Sequence, residues 1–134
     1  HQYDWRRSLC SGYRRETVSK DTLINYVELP CRDLPATKAF FAAVFNWTFT
    51  DYGPAYVEFH DKGIVGGLYQ SELASVTANG AALLVFYSPD LATTQQRIEA
   101  NGGTIIKPIF DFPGGRRFHF TEPSGNEFAV WSDK

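Results

Sequence analysis

Asp33-Leu34-Pro35-Ala36-Thr37 returns 57 positions later as Asp90-Leu91-Ala92-Thr93-Thr94, and this repeated phrase decides the fold. Each copy follows a short apolar run, residues 24–29 in the first case and 83–87 in the second. Each also opens a helical pattern. In the first helix Phe40, Phe41, Val44 and Phe45 form one apolar stripe, with Asp33 placed to cap it and Pro35 in its first turn. In the second the apolar positions are Leu91, Ile98 and Ala100, and Asn101-Gly102-Gly103 is a stop signal.

Three strand-like runs follow each helix. In the first half they span 47–51, 55–60 and 64–70, broken at Gly53-Pro54 and Asp61-Lys62-Gly63. In the second they span 104–106, 116–121 and 127–131, broken at Pro113-Gly114-Gly115 and Pro123-Ser124-Gly125. Segment 71–81, rich in Ser, Ala, Thr, Asn and Gly, is the expected linker. The order is β-α-β-β-β twice, an α+β domain with module one at 22–70 and module two at 82–132. Neither half can cover its sheet alone, so the two should share a core.

Alternation along the strands separates two faces. Val27, Leu29, Val57, Phe59, Phe118, Phe120, Phe128 and Val130 fall on one side, which the helices should cover. The other side collects Tyr26, Glu28, Tyr56, Glu58, His60, Tyr69, Tyr87, Arg117, His119, Glu127 and Trp131. So many rings are costly to leave in water, which favours a curled sheet whose inner face lines a cleft.

Composition bounds the function. With 134 residues, 43% hydrophobic and 16% aromatic, the chain can bury one core. The net charge of −2 divides unevenly, because residues 1–20 carry +3 and the remainder −5. The acidic domain lacks the basic footprint of a nucleic-acid binder, and no apolar run is long enough to span a bilayer. Residues 1–21 are expected to be a basic arm or leader remnant without a secretory signal. Cys10 and Cys31 match neither a zinc motif nor a disulfide framework, and a reduced, cytoplasmic setting is the expectation.

The run INYVELPCRDLPATKAFFAAVFNW, with NGGTIIKPIFDFPGGRRFHFTEPSGNEFAVW, resembles the two modules of the glyoxalase/bleomycin-resistance/dioxygenase (vicinal oxygen chelate) superfamily over residues 22–132. The resemblance implies paired βαβββ modules forming a curled mixed sheet with helices outside, and commonly a homodimer. In the enzymes of this superfamily, strands supply His, Glu or Gln to a divalent metal that polarises two substrate oxygens. Carried over by spacing, those positions are Tyr26, Gly67, Leu83 and Ala129. Leu, Ala and Gly bring no donor side chain, so neither a metal nor another cofactor is expected.

The first expectation is therefore a metal-free protein that binds a small molecule in the cleft, of the sequestration or resistance type. The ligand would be aromatic, and the acidic balance of the domain would allow it to be cationic. The rival is a lyase, isomerase or dioxygenase-type enzyme. It would use a displaced metal site built from Glu28, Glu58 and His119, or His119 with Glu58 as an acid–base pair. A third alternative makes the aromatic face an interaction surface. Glu58 and His119 occupy matching positions in the two modules, and Arg117 is expected to pair with Glu127, the alternative being an anionic group of the ligand. Trp47 is assigned to the core or an interface.

Overall fold

Two helices begin as the repeated phrase requires. In the computed structural model, which describes residues 22–134, Asp33 Oδ1 accepts from the Ala36 amide at 3.0 Å, and Asp90 Oδ1 accepts from Thr93 at 3.1 Å. The basic segment 1–21, with Cys10, lies outside the described residues. The elements are β1 (Tyr26–Cys31), α1 (Leu34–Phe45), β2 (Thr48–Asp51), β3 (Tyr56–His60), β4 (Val65–Gln70), β5 (Leu84–Tyr87), α2 (Leu91–Ala100), β6 (Thr104–Phe112), β7 (Gly115–Thr121) and β8 (Glu127–Ser132). They form two mixed four-stranded sheets, ordered β1-β4-β3-β2 and β5-β8-β7-β6. In each, the strand before the helix pairs in parallel with the last strand of its module, and the other pairings are antiparallel.

Helix α1 joins the two sheets. Phe41 stacks on Trp47 at 4.1 Å, and Trp47 stacks in turn on Phe59 of β3 at 4.2 Å. From the same helix Phe45 stacks on Phe86 of β5 at 3.8 Å, and Phe41 meets Phe128 of β8 edge-on at 5.1 Å. Trp47 is thus a core residue, and one helix from the first module inserts its rings into the second. Such pairs add to the gain from burying their area.

A polar joint supports this aromatic one. Thr37 of α1 donates to Glu122 Oε1 at 2.8 Å and is hydrogen-bonded with Ser124 at 2.7 Å. Asn126 Nδ2 donates to Glu122 Oε2 and to the Pro30 carbonyl, both at 2.7 Å. The Ser124 hydroxyl also meets Cys31 Sγ at 3.3 Å, which seats that buried thiol at the end of β1. Burial pushes the Glu122 carboxyl above its ordinary range, against the opposing hydrogen bonds from Ser124, Thr37 and Asn126. The turn of one module is thereby fastened to the helix start of the other.

Three features differ most from the sequence expectation. Strand β1 begins two residues later, leaving Ile24 91% exposed. In α2, Leu91 and Ile98 are buried while Ala100 is exposed, so its contact stripe is narrower than the pattern implied. Strand β6 runs on to Phe112 rather than stopping at Ile106, with Pro108 inside the register irregularity between Lys107 and Phe110. An edge strand tolerates this, because its outer amides need no partner strand. The linker 71–81 also has a structural part: the Ser75 amide donates to Asn126 Oδ1, the Ser75 carbonyl accepts from the Glu127 amide, and Thr77–Asn79 forms a short 3-10 turn.

Replacing Thr37 by Val keeps the shape of the side chain but removes a partner of Glu122 and Ser124. The expected cost is about 1–3 kcal/mol, measured as a lower urea midpoint at unchanged slope. An unchanged midpoint would show that the polar joint carries no stability.

Candidate functional site

The faces turned away from the aromatic core carry the predicted site residues. The strand register sets them in rows. Across the first sheet, Glu28 of β1, Gly67 of β4 and Glu58 of β3 stand side by side. Across the second, Val85 of β5, Ala129 of β8 and His119 of β7 form the equivalent row. Glu58 and His119 therefore do occupy matching positions.

On the first sheet the glycine has a specific use. The Tyr56 side chain folds across Gly67, and a Cβ there would fall 1.7 Å from the Tyr56 hydroxyl and 2.3 Å from Cζ. That hydroxyl donates to Glu28 Oε2 at 2.9 Å and is hydrogen-bonded with the Tyr26 hydroxyl at 2.6 Å. Desolvation, followed by bonds to Tyr26 and Glu28, raises the Tyr56 phenol well above its usual range, so it stays protonated. Glu58 lies 3.4 Å from His60, whose Nε2 is within 3.2 Å of the Thr50 hydroxyl. Tyr69 sits opposite Tyr56 in the ladder and is partly exposed.

The second sheet holds a buried relay. His119 Nδ1 is 2.7 Å from Glu127 Oε2, and Glu127 Oε1 accepts from the Thr77 amide at 2.8 Å and its hydroxyl at 2.9 Å. His119 is 6% exposed and Glu127 7%, so the pair is shielded from water. Arg117 Nη2 lies 2.9 Å from His119 Nε2. A guanidinium can only donate, which makes Nε2 the acceptor and leaves the proton on Nδ1, directed at Glu127. In this arrangement the outward lone pair of the imidazole is occupied. Burial pushes the Glu127 carboxyl up, but the bonds from His119 and Thr77 outweigh it and leave the group below its ordinary range.

Two expectations about pairing are corrected here. Arg117 does not pair with Glu127: the register sets Arg117 opposite Trp131 and Glu127 opposite Thr121, and His119 stands between the two charges. The carboxylate on the His119 ring is Glu127 from the neighbouring strand, while Glu58 is the neighbour of His60. Rings enclose this end of the sheet. Trp131 meets Tyr87 at 5.1 Å and Phe112 at 6.1 Å, and Arg117 lies 5.8 Å from the Phe110 ring and 5.7 Å from that of Phe112.

Phe110, Phe112, Lys107 and Thr77 belong to this site and were absent from the sequence-based set. Pro108 hid the first three by marking a strand end. The alternation of Phe110 and Phe112 about Asp111, just before Pro113-Gly114, is the signal that identifies a hairpin arm. Nothing local marks Thr77, which reaches Glu127 from the linker.

The profile of the Glyoxalase/Bleomycin resistance protein/Dioxygenase superfamily matches residues 23–130. The chain belongs to this superfamily. Among curated proteins it is 26% identical, over 131 residues, to the anthracycline biosynthesis protein DauV of Streptomyces sp. (strain C5). That match covers 94% of this chain and 46% of DauV, so the chain spans about half the length of its relative. Among solved structures, a glyoxalase-related enzyme from Fulvimarina pelagi is similar at TM-score 0.68 and 17% identity, covering 83% of this chain and 88% of that one. A fosfomycin resistance protein, FosX of Listeria monocytogenes, solved with Mn(II) and a dihydroxypropylphosphonic acid, is similar at TM-score 0.68 and 20% identity. The shared portion is 82% of this chain and 89% of FosX. These structural likenesses establish the fold.

The superfamily's metal does not fit the residues present. Gly67 and Ala129 hold equivalent places on β4 and β8 without a donor atom, and Leu83, just before β5, has none either. Tyr26 alone could ligate, and its hydroxyl is engaged with Tyr56. Among the described residues no three His, Cys, Asp or Glu side chains gather as a metal-holding group, the proposed set Glu28, Glu58 and His119 included.

Two outcomes test this geometry. Gly67→Ala forces Tyr56 off its seat and is expected to change the near-ultraviolet circular dichroism and lower stability, with much less additional effect in a Tyr56→Ala background. Equal effects in both backgrounds would remove the close contact. For the relay, a carboxylate lowered by the fold stabilises it above the ordinary carboxylate range and loses that contribution as pH falls through the native value. The stability gap between the parent chain and Glu127→Gln is expected to be about 1–3 kcal/mol at neutral pH. It should close under acid in urea titrations across pH.

Proposed function

We propose that this chain is a small-molecule-binding protein of the superfamily, taking an aromatic compound against the ring-lined polar face without a metal, as a sequestration or resistance protein does. One observation carries this: the positions that would hold metal are Tyr26, Gly67, Leu83 and Ala129, while the same faces are furnished with rings and oriented polar groups. Trp131, flanked by Tyr87 and Phe112, offers an edge and a face to a planar ligand. The likeness to an anthracycline biosynthesis protein supports a fused-ring aromatic as the ligand class. Acid–base catalysis by His119 is the weaker reading, because Arg117 occupies the nitrogen a general base would use.

Homodimerisation and a cytoplasmic setting belong to the same proposal. Among the described residues no helix is long and apolar enough to cross a membrane.

Titration with a panel of fused-ring aromatics that includes an anthracycline is expected to give saturable quenching of tryptophan fluorescence. Trp131→Ala should weaken that binding about tenfold or more, a change of about 1.4 kcal/mol. EDTA and added Mn(II) should leave it unchanged. No saturable binding across the panel, or binding that needs added metal, would overturn the proposal.

A further inference from the structure

Arg117 is the charge in the fold whose partners do not account for it. Its Nη2 donates to the His119 imidazole, and its Nε is buried with no hydrogen-bond partner. No carboxylate among the described residues forms an ion pair with it. The nearest buried acid, Glu127, has both oxygens committed to His119 and Thr77. A guanidinium in this state retains donors for an oxygen acceptor in a fixed planar fork.

A second cation converges on the same ring. Lys107 Nζ lies 5.4 Å from the Phe110 centroid and Arg117 Cζ lies 5.8 Å from it. Lys107 comes from β6, directly opposite His119 in the ladder, and is exposed. Two like charges held at one aromatic ring repel each other, and an anion bound beside that ring would relieve the repulsion. The ring face attracts both cations and holds them near one another.

We propose that Arg117 and Lys107 form an anion site at the Phe110 end of the second sheet. The site would take a carboxylate or ionised phenol oxygen carried by the aromatic ligand, whose ring lies toward Trp131. The inference rests on the binding function proposed above and narrows it, selecting acidic aromatics over the cationic compounds that the net charge of the domain admits. The formal charge of the whole domain is a poor guide here, because the local field of two unpaired cations acts at contact distance.

The experiment compares three isosteric probes, naphthoate, naphthamide and naphthylmethylammonium, titrated into the full chain and into Arg117→Gln and Lys107→Gln variants. The parent chain is expected to bind naphthoate about tenfold or more tightly than naphthamide, with naphthylmethylammonium weakest. Arg117→Gln should abolish the preference for naphthoate over naphthamide. Lys107→Gln, an exposed substitution, should reduce the preference severalfold. The preference in the parent chain should also shrink as salt rises. Equal affinity for all three probes, tightest binding of the ammonium compound, or a preference that survives Arg117→Gln would overturn the anion site and leave aromatic binding standing. Failure of all three to bind at millimolar concentration would remove both.

Discussion

Helix α1 is a wedge shared by two sheets, and the rest of the molecule depends on that sharing. Its Phe41 and Phe45 reach Trp47 and Phe59 on one side and Phe86 and Phe128 on the other, in a continuous chain of ring contacts. A four-stranded sheet with a single helix has too little apolar cover to stand alone. Driving one helix between both half-sheets gives each of them a buried face. The cost is a set of backbone and polar groups at the seam, which Thr37, Glu122, Ser124 and Asn126 satisfy among themselves. The seam is therefore polar where the core is not, and the two kinds of contact hold the same pair of modules.

Because the core takes one face of each sheet, all the chemistry is left to the other. There the two modules have diverged from a common plan. Gly67 and Ala129 stand in equivalent rows, but the first is overlain by Tyr56, while the second lies beside His119 and its Arg117–Glu127 relay. Around these two rows the chain has side-chain hydrogen bonds, anchored by tyrosine hydroxyls on one sheet and by an imidazole on the other. Each arrangement is self-consistent. The Tyr56 phenol remains a donor because desolvation, with its bonds to Tyr26 and Glu28, opposes ionisation, and the outward nitrogen of His119 is occupied by an arginine.

That second arrangement changes what the face can attract. Had Arg117 paired with Glu127, its charge would have been spent inside the protein. With the imidazole between them, the guanidinium is positioned but not neutralised by contact, and Phe110 and Phe112 hold it in place. The rings that position the charge are the same kind of surface a planar ligand would use.

Much of the fold was legible in the sequence because it is written in local rules. Asp33 and Asp90 cap helices through their own third-residue amides, period-two alternation sorts Val57 and Phe59 from Tyr56 and Glu58, and a duplicated phrase implies a duplicated module. The membership of the polar face followed from the same alternation. What alternation cannot supply is pairing across strands. Whether Arg117 meets Glu127 or His119 depends on the register of β7 against β8, and Glu127 owes its shielding in part to a linker threonine fifty positions away. The extent of β6 depended on its being an edge strand, where Pro108 is tolerated. Residue pattern alone thus determined the modules and their two faces, through forces that act over one turn or one pleat. The partners of each charge were decided only by the tertiary structure, since hydrogen bonds are settled over a few ångströms between segments that the chain keeps far apart.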